Sequence, residues 1–282
     1  MSGGVSHYAD ANGLRLHYVA WGDPNHPPVV MLHGLRAYGH WFDELADVAQ
    51  DRYRLIALDQ RGRGASGWAK DGVYNTDAYV ADLAALAQQL KLGRFVLMGH
   101  SMGGTNAINF AAWYPEQVSA LVIIDSAPEL DQRGLQRIRR ELGETPKSFA
   151  SWDDARAFIR RLHVRPSDRH IATRLAWMLK KAAPGQIVWR LDDAIFDPRM
   201  TPDPPTRTWS MLEQVKCPTL MVRGALSDLI TAEMAGRVAA AVPGGRWVEV
   251  AEAGHMVIED NPDGFNAAVM PFLAEIVTPA PA

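Results

Sequence analysis

Short, mostly apolar runs recur along the 282-residue chain at 28–32, 54–58, 95–98, 120–124, 219–222 and 247–250. Runs of this length without polar alternation are predicted to be strands buried on both faces. Between them, apolar positions repeat at helical spacing. Tyr79, Leu83, Leu86 and Leu90 share one face of a helix predicted over 76–90, with Asp77 in its first turn, where the helix dipole favours a carboxylate. Similar helices are predicted over 102–113, 232–241 and 262–276, the last with Pro262 in its first turn. Strand–helix alternation implies right-handed crossovers, hence an α/β domain with a mostly parallel sheet covered by helices on both faces. An antiparallel start is expected, because 5–9 and 14–20 flank Asn12-Gly13, a strong hairpin signal.

The alternation stops after Ile124. From 127 to 213 no strand is expected, only amphipathic helical stripes: Leu135, Ile138 and Leu142; Phe158 and Leu162; Ile171, Leu175 and Met178. Pro198, Pro202, Pro204 and Pro205 break the pattern before the strands resume near Val215. The expected organisation is a core of residues 1–126 and 214–282, with a helical cap, 127–213, inserted between the sixth and seventh strands. Such a block reads as a lid over the carboxyl ends of the strands, where open α/β sheets bind ligands.

Composition narrows the function classes. Apolar residues make up 48% and charged residues 22%, as in an ordinary globular protein. A net charge of −3, with no basic run beside aromatic residues, argues against a nucleic-acid partner. No stretch approaches the roughly 18 apolar residues of a membrane helix, and residues 1–21 carry no apolar signal-peptide core. Membrane insertion is therefore not expected, and the expected location is the cytoplasm. Cys217 is the single cysteine and reads as a small core residue, so no intramolecular disulfide can form. Oligomeric state is not legible.

The sharpest chemical signal is Gly99-His100-Ser101-Met102-Gly103, a G-x-S-x-G pattern. It follows a predicted strand and opens a predicted helix, the setting a nucleophile elbow requires. A solvated serine on a Gly-rich turn is the competing reading of the pattern alone. A serine hydroxyl needs a base. Of nine histidines, His255 follows the last strand run on a loop at the Ser101 end of the sheet. His7, His17 and His26 belong to the N-terminal hairpin region, His163 and His170 to Arg-rich cap helices, and His100 is expected to point away from the serine. The imidazole then needs an acid. Asp228 follows the 219–222 strand and gives the chain order Ser, Asp, His. Asp125, at the end of the preceding strand, is the other position from which an acid reaches His255; its competing role is a cap on the turn into Ser126. Backbone donors for an oxyanion hole are expected at Met102 and at Leu35, where Gly34 lets the loop approach the serine. His33 is expected to brace that loop.

On these residues the chain resembles the α/β-hydrolase superfamily, in its esterase, lactonase and C–C hydrolase group. The matching segments are His33-Gly34 followed by Trp41; Asp59-Gln60-Arg61-Gly62-Arg63-Gly64-Ala65-Ser66; Gly99-His100-Ser101-Met102-Gly103-Gly104; Asp228; Gly254-His255; and Asn261-Pro262. They span about 230 residues. The resemblance implies the α/β-hydrolase fold and no metal or organic cofactor. Dehalogenases and epoxide hydrolases of this fold carry Asp where Ser101 stands, so those reactions are not expected. It implies instead hydrolysis of a carboxylic ester or lactone of modest size through an acyl-enzyme. The alternatives are C–C bond hydrolysis of a diketone or cofactor-free perhydrolysis on the same triad, and a ligand-binding receptor with little turnover.

For substrate contacts, Trp152, Trp177 and Trp189 are the aromatic candidates from the cap. Residues 127–213 hold 16 Lys and Arg against 12 Asp and Glu, a surplus that attracts anions or merely solvates helix backs such as Arg137-Ile138-Arg139-Arg140. Arg36, one residue past the oxyanion donor, is a candidate for holding a substrate carboxylate. A structural ion pair is its competing role.

Overall fold

The computed structural model describes residues 3–163, 165–196 and 203–277. Pro198, Pro202 and the Pro/Ala tail at 279–282 lie outside the described residues.

Eight strands form the central sheet: β1 (Val5–Ala11), β2 (Leu14–Trp21), β3 (Pro28–Leu32), β4 (Arg54–Leu58), β5 (Phe95–His100), β6 (Val118–Ile124), β10 (Thr219–Gly224) and β11 (Arg246–Val250). Their spatial order is β1-β2-β4-β3-β5-β6-β10-β11. The β1–β2 and β2–β4 pairs are antiparallel and the others parallel. The hairpin between β1 and β2 turns on Asn12 and Gly13, both with positive φ (50° and 75°), as a two-residue turn of matching twist requires.

Strand periodicity explains why the runs read as continuous. Val29 and Met31 of β3 join a core on one face of the sheet with Phe42, Phe265 and Leu273. Val30 and Leu32 join the opposite core with Leu83, Ile108 and Val238. Helices α2 (Thr76–Gln89), α3 (Met102–Trp113) and α8 (Ala232–Ala240) supply the second core; α1 (Asp43–Ala49), α9 (Val257–Asp260) and α10 (Pro262–Val277) supply the first. Cys217 is buried, and burial pushes its thiol up to about 11, the environment of a packing residue.

Between β6 and β10 the chain leaves the sheet. This insertion contains α4 (Gln132–Glu144), α5 (Trp152–Leu162), α6 (Asp168–Met178) and α7 (Pro205–Leu212). It also contains three strands the sequence reading missed: β7 (Ser148–Phe149), β8 (Leu179–Ala183) and β9 (Gln186–Trp189), paired antiparallel in the order β7-β9-β8. They are short, and four of the five β8 residues are exposed, so no apolar run as long as those of the central sheet marks them. Phe149, Phe158, Ile171, Leu175 and Ile187 form a separate small core here. Leu212 of α7 instead joins the sheet-face core around α3. Among the described residues no helix is long and apolar enough to cross a membrane.

Candidate active site

At the carboxyl edge of the sheet, β5 runs into α3 through Ser101, whose φ of 53° and ψ of −122° lie outside the ordinary allowed regions. Such a conformation costs about 1–3 kcal/mol and persists only where its surroundings enforce it. Tight packing does so here. A Cβ on Gly99 would lie 2.1 Å from the Gly103 carbonyl oxygen, and one on Gly103 would lie 2.3 Å from that of Leu32. The Ser101 N–H donates to the Ile124 carbonyl (3.0 Å), and its own carbonyl accepts from Gly104 (2.8 Å).

The Ser101 hydroxyl lies 3.1 Å from Nε2 of His255. On the other side of the ring, Nδ1–H donates to Oδ2 of Asp125 at 2.7 Å. The acid facing this imidazole is thus Asp125, and the expectation of Asp228 is corrected. Two features decide it. Asp125 follows β6 directly, is 1% exposed, and is oriented by bonds from the Gly224 N–H (3.1 Å) and the Ser227 hydroxyl (2.7 Å). The loop after β10 therefore presents Ser227, not Asp228, to this cluster. Asp228 is bound by the Arg137 guanidinium, Nε to Oδ2 at 2.6 Å and Nη2 to Oδ1 at 2.9 Å, and that pairing holds its carboxyl below the usual range. Gly134 permits the approach of α4: a Cβ there would lie 2.7 Å from the Asp228 carbonyl oxygen.

Leu35 and Met102 flank the serine, and neither N–H has a protein acceptor among the described residues. Gly34 is needed for this closeness, since its Cβ would lie 2.9 Å from Nδ1 of His100 and 3.2 Å from Cβ of Ser101. His33 braces the loop: Nδ1–H donates to the Gly34 carbonyl (2.8 Å), and Nε2 accepts from the Gln60 N–H (3.0 Å). Burial lowers its pKa to about 4, which fits this neutral tautomer.

These groups open on a cavity of about 340 Å³ that Arg36, Arg137, His163, Arg174 and Trp189 help to line. Its cations differ in how they are compensated. Arg137 is paired with Asp228 and Glu141, and buried Arg174 with Glu259. Arg36 donates from Nη1 to the Thr145 hydroxyl at 2.6 Å and has no carboxylate in ion-pair reach among the described residues; burial lowers its pKa. His163 is held well below 6.5 by burial and by the Arg174, Arg36 and Arg137 charges. Of the tryptophans, Trp189 reaches the cavity, with its indole N–H on the Pro146 carbonyl (2.8 Å). The other two do not. Trp152 is exposed at the start of α5, and Trp177 stacks on His40 at 4.0 Å between ring centres.

His100 braces the site from within the elbow. It lines the cavity, stacks on Trp41 (4.3 Å), and donates from Nε2 to the His255 carbonyl at 2.8 Å, so it ties down the loop that carries His255. The x position of G-x-S-x-G carries no signal for this. A second Ser–His–Asp chain runs from Ser6 to His17 Nε2 (3.0 Å) and from His17 Nδ1 to Asp59 (2.7 Å). It lies away from the cavity, and Asp59 there also ties down the Gly39 and Ala65 N–H groups. Three aligned groups alone therefore do not make a site. No group of three or more His, Cys, Asp or Glu side chains placed to hold a metal ion is found among the described residues.

Sheet order and elbow together define the class as the hydrolases of this α/β architecture. The chain belongs to the alpha/beta hydrolase fold family, whose model matches residues 27–262. It is similar to the 3-hydroxybutyrate-oligomer hydrolase of Cupriavidus necator, 31% identical with 86% of this chain and 87% of that protein covered. It is also similar to the N-formylmaleamate deformylase of Pseudomonas putida, 30% identical over 93% and 94% of the two chains. Among solved structures, E-2-(acetamidomethylene)succinate hydrolase superposes with a TM-score of 0.85 at 25% identity, covering 96% of this chain and 99% of that one.

Proposed function

We propose that this hydrolase cleaves a small carboxylic ester or lactone through a covalent acyl-enzyme, with Ser101 as nucleophile, His255 as general base and Asp125 as the orienting acid. The continuous Ser101–His255–Asp125 hydrogen-bond chain at a cavity is the observation that carries the reading. His255 Nε2 takes the Ser101 proton as Oγ bonds to the carbonyl carbon. The oxyanion rests on the Leu35 and Met102 N–H groups, and Asp125 stabilises the imidazolium. Collapse expels the alcohol, protonated by His255. Water, deprotonated by the same imidazole, then releases the acid and restores Oγ–H. Residues 127–213 act as the lid that excludes bulk water from this sequence.

The substrate carries a carboxylate, which Arg36 receives. Its guanidinium lines the cavity two residues past Gly34 and meets only a neutral hydroxyl. Two of the similar proteins bear names, a maleamate and a succinate, that denote carboxylates. The deformylase also supports a second reading, cleavage of an N-acyl bond on the same triad. A fluorophosphonate probe should label Ser101 and leave Ser101→Ala unlabelled. Folded wild-type protein that stays unlabelled would favour a binding protein. A panel of esters, lactones and N-acyl compounds, each with and without a carboxylate, separates the two enzymatic readings.

A further inference from the structure

The buried arginines differ in what they face. Arg61 meets Asp82, Arg174 meets Glu259 and Arg223 meets Glu249. Arg63 differs from these three. It is 0% exposed, and among the described residues its acceptors are all neutral. Nε donates to the Leu35 carbonyl (2.8 Å), Nη1 to the Arg61 carbonyl (2.8 Å) and the Tyr79 hydroxyl (2.7 Å), and Nη2 to Sδ of Met102 (3.3 Å). The turn that aims it inward has positive φ at Gly62 (76°) and Gly64 (58°) on either side.

A cation buried without a counter-charge is costly, and an apolar side chain would fill the same space more cheaply. The feature to explain is therefore what its charge and its fork of donors supply. Its contacts answer this. One guanidinium touches both Leu35, on the loop after β3, and Met102, the first residue of α3, the two residues whose N–H groups are read above as the oxyanion donors.

We propose that Arg63 is the positioning residue of the oxyanion hole. It locks the Leu35 and Met102 N–H groups into a converging pair and directs an uncompensated positive charge at the oxygen between them. This inference rests on the acyl-hydrolase reading above. The peptide after Leu35 belongs to no helix or strand; the bond from Nε fixes its plane and so restrains the adjoining Gly34–Leu35 peptide, which carries the Leu35 N–H. Nη2 holds the Met102 side chain and with it the first turn of α3. In a dry pocket the charge interacts weakly with a neutral carbonyl and strongly with an oxyanion, so its effect falls on the transition state.

Arg63→Lys retains the charge but has three donors on one atom, too few and too close together for four acceptors. Four quantities are measured: kcat and KM for a p-nitrophenyl ester, affinity for an aryl boronic acid that forms a tetrahedral adduct on Ser101, and affinity for the trigonal carboxylate product. Thermal melting checks folding. The expected result is a fall of about 10- to 100-fold in kcat and a matching fall in boronate affinity, with KM and product affinity within about twofold. Equal loss in all four quantities, or no loss in any, overturns the proposal, the first because it marks a merely structural role. If the variant does not fold, a crystal structure of the wild-type boronate adduct decides. An adduct oxygen between the two N–H groups, with Nε still on the Leu35 carbonyl, is expected; an oxygen seated elsewhere overturns it. Wild-type enzyme that neither hydrolyses the ester nor takes the fluorophosphonate would instead sink the acyl-hydrolase reading itself.

Discussion

Both carboxylate oxygens of Asp228 are engaged by Arg137, at 2.6 and 2.9 Å, so the second acid at the rim of the sheet is bound by the insertion. Asp125, held by Gly224 and Ser227, faces the imidazole instead. The two carboxylates should therefore respond differently to the same change. Asp125→Asn removes the anion that stabilises the imidazolium and should lower kcat by about 10⁴-fold, with the fold retained. Asp228→Asn should change kcat by no more than about fivefold. Its half-exposed pairing with Arg137 should cost at most about 1 kcal/mol of stability. Steady-state kinetics of the two variants on one ester decide the matter. Equal losses, or a larger loss for Asp228→Asn, would return the acid role to Asp228.

That choice of acid is where the sequence runs out. Both aspartates follow sheet strands at the same edge, so position does not separate them. The deciding groups are Arg137, 91 positions before Asp228 in sequence, and Ser227, whose hydroxyl turns toward Asp125. Neither leaves a periodic signal. The sheet itself was legible because its inner strands β3–β6 and β10 are buried on both faces, and the elbow because steric crowding dictates glycine at fixed offsets. Strands β7–β9 escaped because they are short, two to five residues each, and β8 is mostly exposed. Trp177 was misread because helical spacing places it on a face without naming its partner, which is the distant His40. Arg63 was visible within a motif, but its lack of a carboxylate partner is a property of three dimensions only.

Arg36 separates substrates by charge. A charge-assisted hydrogen bond to a carboxylate is worth roughly 1.5–3 kcal/mol. Arg36→Met should therefore raise KM for a carboxylate-bearing ester by at least about tenfold while leaving a neutral ester of similar size within about twofold. Parallel KM measurements on such a matched pair test this. Equal shifts for both esters would show that Arg36 supports the loop, through its bond to Thr145, rather than the substrate.

Acid should destabilise the protein through its buried neutral histidines. His33 is lowered to about 4 by burial, against about 6.5 in an unfolded chain. Between these values the unfolded chain binds a proton that the folded one refuses. Stability is then complete above about pH 6.5 and is lost as pH falls toward 4, by on the order of 3 kcal/mol from this group. His100 and His163, also lowered chiefly by burial, act in the same direction. Urea midpoints between pH 7.5 and 4.5 should fall accordingly. An NMR titration placing the folded His33 ring near 6.5 would contradict this account.

The insertion is fastened to the segment just after His255 by a buried ion pair. Nε of Arg174 on α6 lies 3.0 and 3.1 Å from the two oxygens of Glu259 on α9, four residues past His255, and both side chains are at most 3% exposed. Breaking such a pair from one side strands a buried charge, which typically costs about 3–5 kcal/mol. Arg174→Met should lose that much stability. Adding Glu259→Gln should restore part of it, because no unpaired carboxylate then remains buried. Because the pair joins the cap to the catalytic rim, the single variant should also expose the cavity and lower kcat, while the sheet core unfolds cooperatively as before. A double-mutant cycle by urea denaturation tests the coupling. Additive losses would show that the two side chains act independently, and that contact between α6 and the short helical turn Gly39–Phe42, rather than charge, holds the insertion down.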